Sequence, residues 1–171
     1  MQQRPGAVTF EGNPLTLTGE PFAVGRAAPD AVLIGRDLAP VALSHYAGKV
    51  AVLVSVPSLD TPVCDTEVRR FNREAAALAD DVAVIAVSMD LPFAQQRWCG
   101  ATGVERVTTL SDHRDASFGR AYGLLIGELR LLARAVLVLD RKQTLRYAQL
   151  VREITDEPDY AAALHAVAEL T

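Results

Sequence analysis

Pro57-Ser58-Leu59-Asp60-Thr61-Pro62-Val63-Cys64 is the segment on which the fold reading turns. It follows Val50–Val56, an apolar and mostly β-branched run bounded by Gly48 and Pro57. A run of that length and composition suits a strand buried on both faces. After it, Val68, Phe71, Ala75 and Leu78 recur every three or four residues, while Arg69, Arg70, Arg73 and Glu74 take the other face. That spacing predicts a helix over 62–80. Thr61 is a favoured N-cap and Pro62 a favoured first helical residue. Cys64 then falls at the third helical position, where a capping box would place Glu or Gln. The thiol sits among unpaired backbone N–H groups at the positive end of the helix dipole, a setting that favours the thiolate. Asp60 and Asp65 oppose this as like charges. A cation from elsewhere is expected to offset them, and either Arg69 or Arg134 could supply it.

Outward from this segment, Val82–Val87 reads as a second buried strand and Val107–Leu110 as a weaker one. Between them a helix runs from Pro92 to about Gly100, with Pro at its start and Gly at its end. Ala135–Leu139 and Thr144–Leu150 flank Asp140-Arg141-Lys142-Gln143 as a hairpin, and Pro158 precedes a helix of about 159–170. At the start, Val8–Phe10 and Leu15–Leu17 flank Glu11-Gly12-Asn13-Pro14 as an N-terminal hairpin, with Ala31–Ile34 pairing nearby. Strands alternating with helices predict an α/β sandwich around a central mixed sheet, with a parallel central pair joined by crossovers. The order resembles thioredoxin-like folds.

The 171 residues, 50% hydrophobic and 22% charged, fit one globular domain over 1–171 and exclude disordered or low-complexity sequence. A net charge of −4 gives no footprint for nucleic acid. No signal-peptide-like run follows Met1, and no stretch nears 18 uncharged apolar residues, so a cytoplasmic protein without membrane spans is expected. In a reducing compartment, two cysteines are reactive or inert rather than permanently bridged. A Cys-x-x-Cys motif is excluded, because residue 67 is Glu.

Cys99 lies near the end of the second helix, in Arg97-Trp98-Cys99-Gly100-Ala101, and by itself reads as a packed residue. Bridging it to Cys64 would close a 35-residue separation, worth about 4 kcal/mol in the loop-entropy model. A bridge needs Cα atoms within about 7 Å, whereas helix starts and helix ends tend to lie at opposite sheet edges. The thiols are therefore expected apart in the reduced fold. A bond would require unwinding the turn around Cys64, the Cys99 helix, or both. His45, His113 and His165 share no metal-ligand spacing, and no phosphate-binding Gly-rich loop is present. Asp112-His113-Arg114-Asp115 reads as a solvated loop. Phe93 and Trp98 read as packing residues, or else as a dimer or substrate surface.

The Pro57–Cys64 segment resembles the Pro-x-x-x-Thr-x-x-Cys loop of peroxiredoxins. More narrowly, the chain resembles the bacterial thiol peroxidases, a family of atypical two-cysteine peroxiredoxins. The likeness extends through V-T-F-E-G-N-P (8–14), M-D-L-P-F-A-Q (89–95), W-C-G-A (98–101), A-R-A-V-L-V-L-D (133–140) and Q-L-V-R-E-I-T-D-E-P-D-Y (149–160). The resemblance implies that Cys64 is the peroxidatic cysteine and Cys99 the resolving cysteine of the same chain. It implies that Thr61 and Arg134 bind peroxide and activate the thiolate, and that Pro57 shields the loop. It further implies thioredoxin as reductant, a homodimer, and no metal or organic cofactor. The chemistry suits these residue types: a thiolate attacks a peroxide oxygen and becomes a sulfenic acid, while fixed donors stabilise the departing oxygen. One departure is visible in Leu124–Leu132, where family members often carry a longer, Gly-rich segment. The alternative functions are a peroxide-sensing interaction protein that oxidises without turnover and a non-catalytic thioredoxin-like binding module.

Overall fold

The computed structural model describes residues 1–75 and 77–171. In chain order the elements are β1 (Gln3–Phe10), β2 (Asn13–Thr18), β3 (Val32–Ile34), β4 (Pro40–Ala42), a 3₁₀ turn (Leu43–Tyr46), β5 (Val50–Ser55), α1 (Pro62–Ala75), β6 (Val82–Ser88), α2 (Pro92–Thr102), β7 (Val107–Ser111), α3 (Ser117–Ala121), β8 (Leu125–Ile126), β9 (Leu131–Leu132), β10 (Ala135–Leu139), β11 (Leu145–Leu150) and α4 (Tyr160–Ala168). The central sheet has the order β11-β10-β5-β6-β7-β3-β4. β5, β6 and β7 run parallel, and their other neighbours run antiparallel. A second, smaller sheet has the order β1-β2-β8-β9.

Strand alternation sends successive side chains to opposite faces, and β5 feeds two cores. Val50, Val52 and Val54 join Val68, Phe71, Trp98, Ala163 and Val167 of the helical layer. Ala51 and Leu53 join Val8, Leu17, Phe118, Tyr122 and Ile126 on the other side. Both faces are covered, which is why β5 reads as a continuous apolar run. This is the expected mixed α/β sandwich with an N-terminal hairpin. The hairpin turn is tighter than the four residues read from sequence: Phe10 pairs with Asn13, leaving Glu11 and Gly12 at positive φ. Such a two-residue turn matches the twist of its flanking strands.

Several boundaries differ from the sequence reading. α1 is described to Ala75, and Ala77–Asp81 form turns into β6, with Leu78 N–H donating to Ala75 O. Ala76, part of the expected 62–80 helix, lies outside the described residues. α2 passes through Gly100 and ends at Gly103, whose φ of +67° closes the helix as its N–H donates to Cys99 O. The left-handed position, not the first glycine, sets that end. Asp112 is buried rather than solvated: its carboxylate accepts the Phe118 and Gly119 amides and caps α3, so the charge run splits across the surface. Trp98 packs as expected, but Phe93 is 64% exposed. The departing Leu124–Leu132 segment forms the β8–β9 hairpin against β2. Among the described residues no helix is long and apolar enough to cross a membrane.

Candidate active site

The Cys64 segment is built from two directions. The Thr61 carbonyl accepts the first helical bond from Asp65 N–H at 3.0 Å, so Thr61 is the N-cap by backbone and Cys64 lies in the first turn. The Thr61 hydroxyl donates instead to Ser58 O at 3.0 Å. Asp90, in the loop after β6, holds the approach to the helix: its carboxylate accepts Ser58 Oγ at 2.7 Å, Leu59 N–H at 2.8 Å and Ser88 Oγ at 2.8 Å.

The cation beside Cys64 is Arg134. Its Nη2 donates to Cys64 Sγ at 3.3 Å. Arg69 is directed elsewhere, to Asp65 at 2.9 Å. Arg134 enters β10 from the β9 turn, and antiparallel pairing of Ala135 with Ser55 sets its head beside the end of β5. Ser55 Oγ donates to Ala133 O at 2.8 Å, fixing the residue before it. The guanidinium is 1% exposed, and two of its nitrogens donate to Ile154 O at 3.0 and 2.8 Å. Its Nη1 pairs with Glu67, one helical turn beyond Cys64. The fork thus binds thiol, carboxylate and carbonyl together, which a lysine cannot do.

Glu67 is the residue that sequence reasoning missed. It is fully buried, and its Oε1 has no partner among the described residues. Burial pushes its carboxyl up to about 7, against the pull of Arg134. Burial also works against the Arg134 charge, but Glu67 and Cys64 outweigh it and raise the guanidinium above its ordinary value. The available signal was spacing: Cys64, Glu67, Val68 and Phe71 share the buried stripe of α1, and a carboxylate on such a stripe requires a cationic partner.

A cavity of about 250 Å³ opens on this cluster, lined by Phe10, Pro57, Thr61, Val63, Arg134 and Ile154 among others. Pro57 is buried and Thr61 exposed, so they form wall and rim. The N-terminal hairpin reaches the cavity because Glu153 holds its tip. The Glu153 carboxylate accepts Thr9 Oγ1 at 2.8 Å, Glu11 N–H at 3.1 Å and Gly12 N–H at 3.0 Å. These bonds, the Gly12 amide foremost, hold its carboxyl down to about 2.

Cys99 is not in this cluster. It is 5% exposed on α2, with Sγ 3.7 Å from Thr109 Oγ1 of β7. Both cysteines are free. Among the described residues no group of His, Cys, Asp and Glu is arranged to hold a metal ion.

The redoxin family model matches residues 23–164. A thiol peroxidase of Halalkalibacterium halodurans is 52% identical over 160 residues, covering 94% of this chain and 96% of that protein. A thiol peroxidase of Streptococcus sanguinis is 53% identical, covering 95% and 99%. A crystal structure of a peroxiredoxin-like protein from Aquifex aeolicus superposes with a TM-score of 0.91 at 44% identity, covering 97% of this chain and 98% of that one. A thiol peroxidase from Chromobacterium violaceum shares the fold, with a TM-score of 0.84 at 20% identity. With a family match across most of its length and relatives at about half identity, the chain belongs to the redoxin family and, within it, to the thiol peroxidases, enzymes of the peroxiredoxin type.

Proposed function

We propose that the chain reduces hydrogen peroxide and organic hydroperoxides through Cys64, and that Cys99 of the same chain completes the cycle. The observation that carries this reading is the Arg134 contact to Cys64 Sγ at 3.3 Å beside a cavity. A fixed cation at that distance stabilises the thiolate and stays in place to bind the peroxide oxygens. In the reaction the Cys64 sulfur attacks one oxygen, the O–O bond breaks, and the other oxygen leaves as water or alcohol after taking a proton. The sulfur becomes a sulfenic acid. Arg134 and the Cys64 amide are the donors for the charge developing on the oxygens, and the Thr61 hydroxyl joins them by turning away from Ser58 O. The amide belongs to the first helical turn, where N–H groups lack intrahelical acceptors. Pro57, on the cavity wall, shields the loop.

The Cys99 thiol then displaces water from the sulfenic acid, forming an intrachain disulfide. A dithiol protein, thioredoxin, returns it to two thiols by exchange. No metal or organic cofactor enters this cycle. The apolar walls from Phe10, Val63 and Ile154 favour hydroperoxides that carry a hydrocarbon group. The two free thiols suit a reducing cytoplasm. Exposed Leu91 and Phe93 at the start of α2 supply an apolar surface for a homodimer.

The test is consumption of peroxide with thioredoxin, its reductase and NADPH. Many equivalents consumed per chain, and none by Cys64→Ser, support the proposal. Consumption of one equivalent without turnover would favour the peroxide-sensing alternative.

A further inference from the structure

Cys64 Sγ faces Arg134 at the head of β10, and Cys99 Sγ faces Thr109 in β7. In the sheet order these strands are separated by β5 and β6, three spacings or about 14 Å. Both thiols are buried in the helical-side core. A disulfide therefore requires at least one of the two turns to leave its folded position.

The residues flanking the two cysteines hold each other. Asp65 immediately follows Cys64, and Trp98 immediately precedes Cys99. The Trp98 indole Nε1–H donates to Asp65 Oδ1 at 2.9 Å. One residue earlier, Arg97 pairs with Asp60 of the Cys64 loop at 3.3 Å. That pair is 71% and 60% exposed, so solvent screens it. The Trp98 bond differs: the residue is 7% exposed, and its N–H has a charged acceptor. Raising the first turn of α1 withdraws Asp65 and strands a buried donor on α2. Beyond Trp98, the last turn of α2 contains Gly100 and Thr102, both weak helix formers. The bond to Asp65 lies next to that turn of α2.

We infer that Asp65 and Trp98 form a latch between the two cysteine-bearing turns, making Asp65 a positioning residue that sets the rate of the resolving step. The inference rests on the Cys64–Cys99 cycle proposed above. The latch governs a partition of the Cys64 sulfenic acid. Condensation with the Cys99 thiol releases water and gives the disulfide. Alternatively, a second hydroperoxide transfers an oxygen to the sulfenate, leaving a sulfinic acid and one molecule of alcohol or water. A tighter latch favours the second route.

The experiment exposes wild type, Asp65→Ala, Asp65→Asn, Trp98→Phe and Arg69→Ala to rising hydroperoxide. Intact mass then gives the peroxide concentration at which half the chains carry sulfinic acid. Asp65→Ala and Trp98→Phe are expected to raise that concentration about fivefold or more, since each removes a charge-assisted bond to a buried donor. Asp65→Asn retains an acceptor oxygen and should fall between them and wild type. Arg69→Ala removes the other partner of Asp65 and should match wild type, which separates the latch from the salt bridge. An unchanged or lowered concentration in Trp98→Phe overturns the latch alone. A wild type that forms no intrachain disulfide after one equivalent overturns both the latch and the cycle on which it rests.

Discussion

The guanidinium of Arg134 bridges Cys64, at 3.3 Å from its sulfur, to the buried carboxyl of Glu67 one turn along the same helix. This pairing sets β10 against α1. It also gives Cys64 a cation whose position does not depend on solvent.

Replacing Arg134 by lysine keeps the charge but removes the fork. A lysine can satisfy only part of the set formed by Cys64, Glu67 and Ile154. The rate constant for reaction with peroxide should fall about 10²–10³-fold, the usual cost of losing one aimed donor. Stopped-flow mixing of the reduced variant with hydroperoxide measures it.

Glu67 supplies a pH dependence of stability. Its carboxyl titrates near 7 in the folded chain, against an ordinary value of 4.5. Between those values the folded state holds a proton that the unfolded chain has released. Its contribution to stability is therefore full below about 4.5 and is lost as pH rises through about 7. Glu67→Gln removes this slope, so its stability relative to wild type should rise from pH 5 to pH 8. Urea unfolding at the two pH values reads the difference.

Phe10 should act on substrate choice rather than on chemistry. It lines the cavity from the end of β1, and its ring carries no donor for the peroxide oxygens. Phe10→Ala should lower kcat/KM for a bulky aromatic hydroperoxide about tenfold relative to hydrogen peroxide, in line with losing part of one aromatic contact surface. Parallel assays with the two peroxides give the ratio.

Asp90 secures the loop that precedes Cys64. Asp90→Ala would leave Ser58 Oγ, Leu59 N–H and Ser88 Oγ without their acceptor. A stability loss of about 1–3 kcal/mol is expected, measurable by urea unfolding.

The strand-to-helix passage around Cys64 was legible in the sequence because its signals are local: a β-branched run, Thr61, Pro62 and an apolar stripe. The choice between Arg69 and Arg134 was not legible in local signals and came only from the family resemblance. Both are cations, and only the pairing of Ala135 with Ser55 places Arg134 beside the thiol. Glu67 was overlooked because helix periodicity marks a stripe as apolar, and one carboxylate within it reads as noise until its partner is known. The β8–β9 hairpin escaped because two-residue strands leave no period to detect. The left-handed φ at Gly103, rather than composition, ended α2.

The central claim is that Cys64 is the thiol that reduces peroxide. The most direct measurement is the intact mass of Cys99→Ser after one equivalent of hydroperoxide, with a sulfenic-acid trap such as dimedone present. The expected result is one trapped adduct per chain, located at Cys64 by peptide mapping. An unchanged mass, with one free thiol per chain remaining, would contradict it.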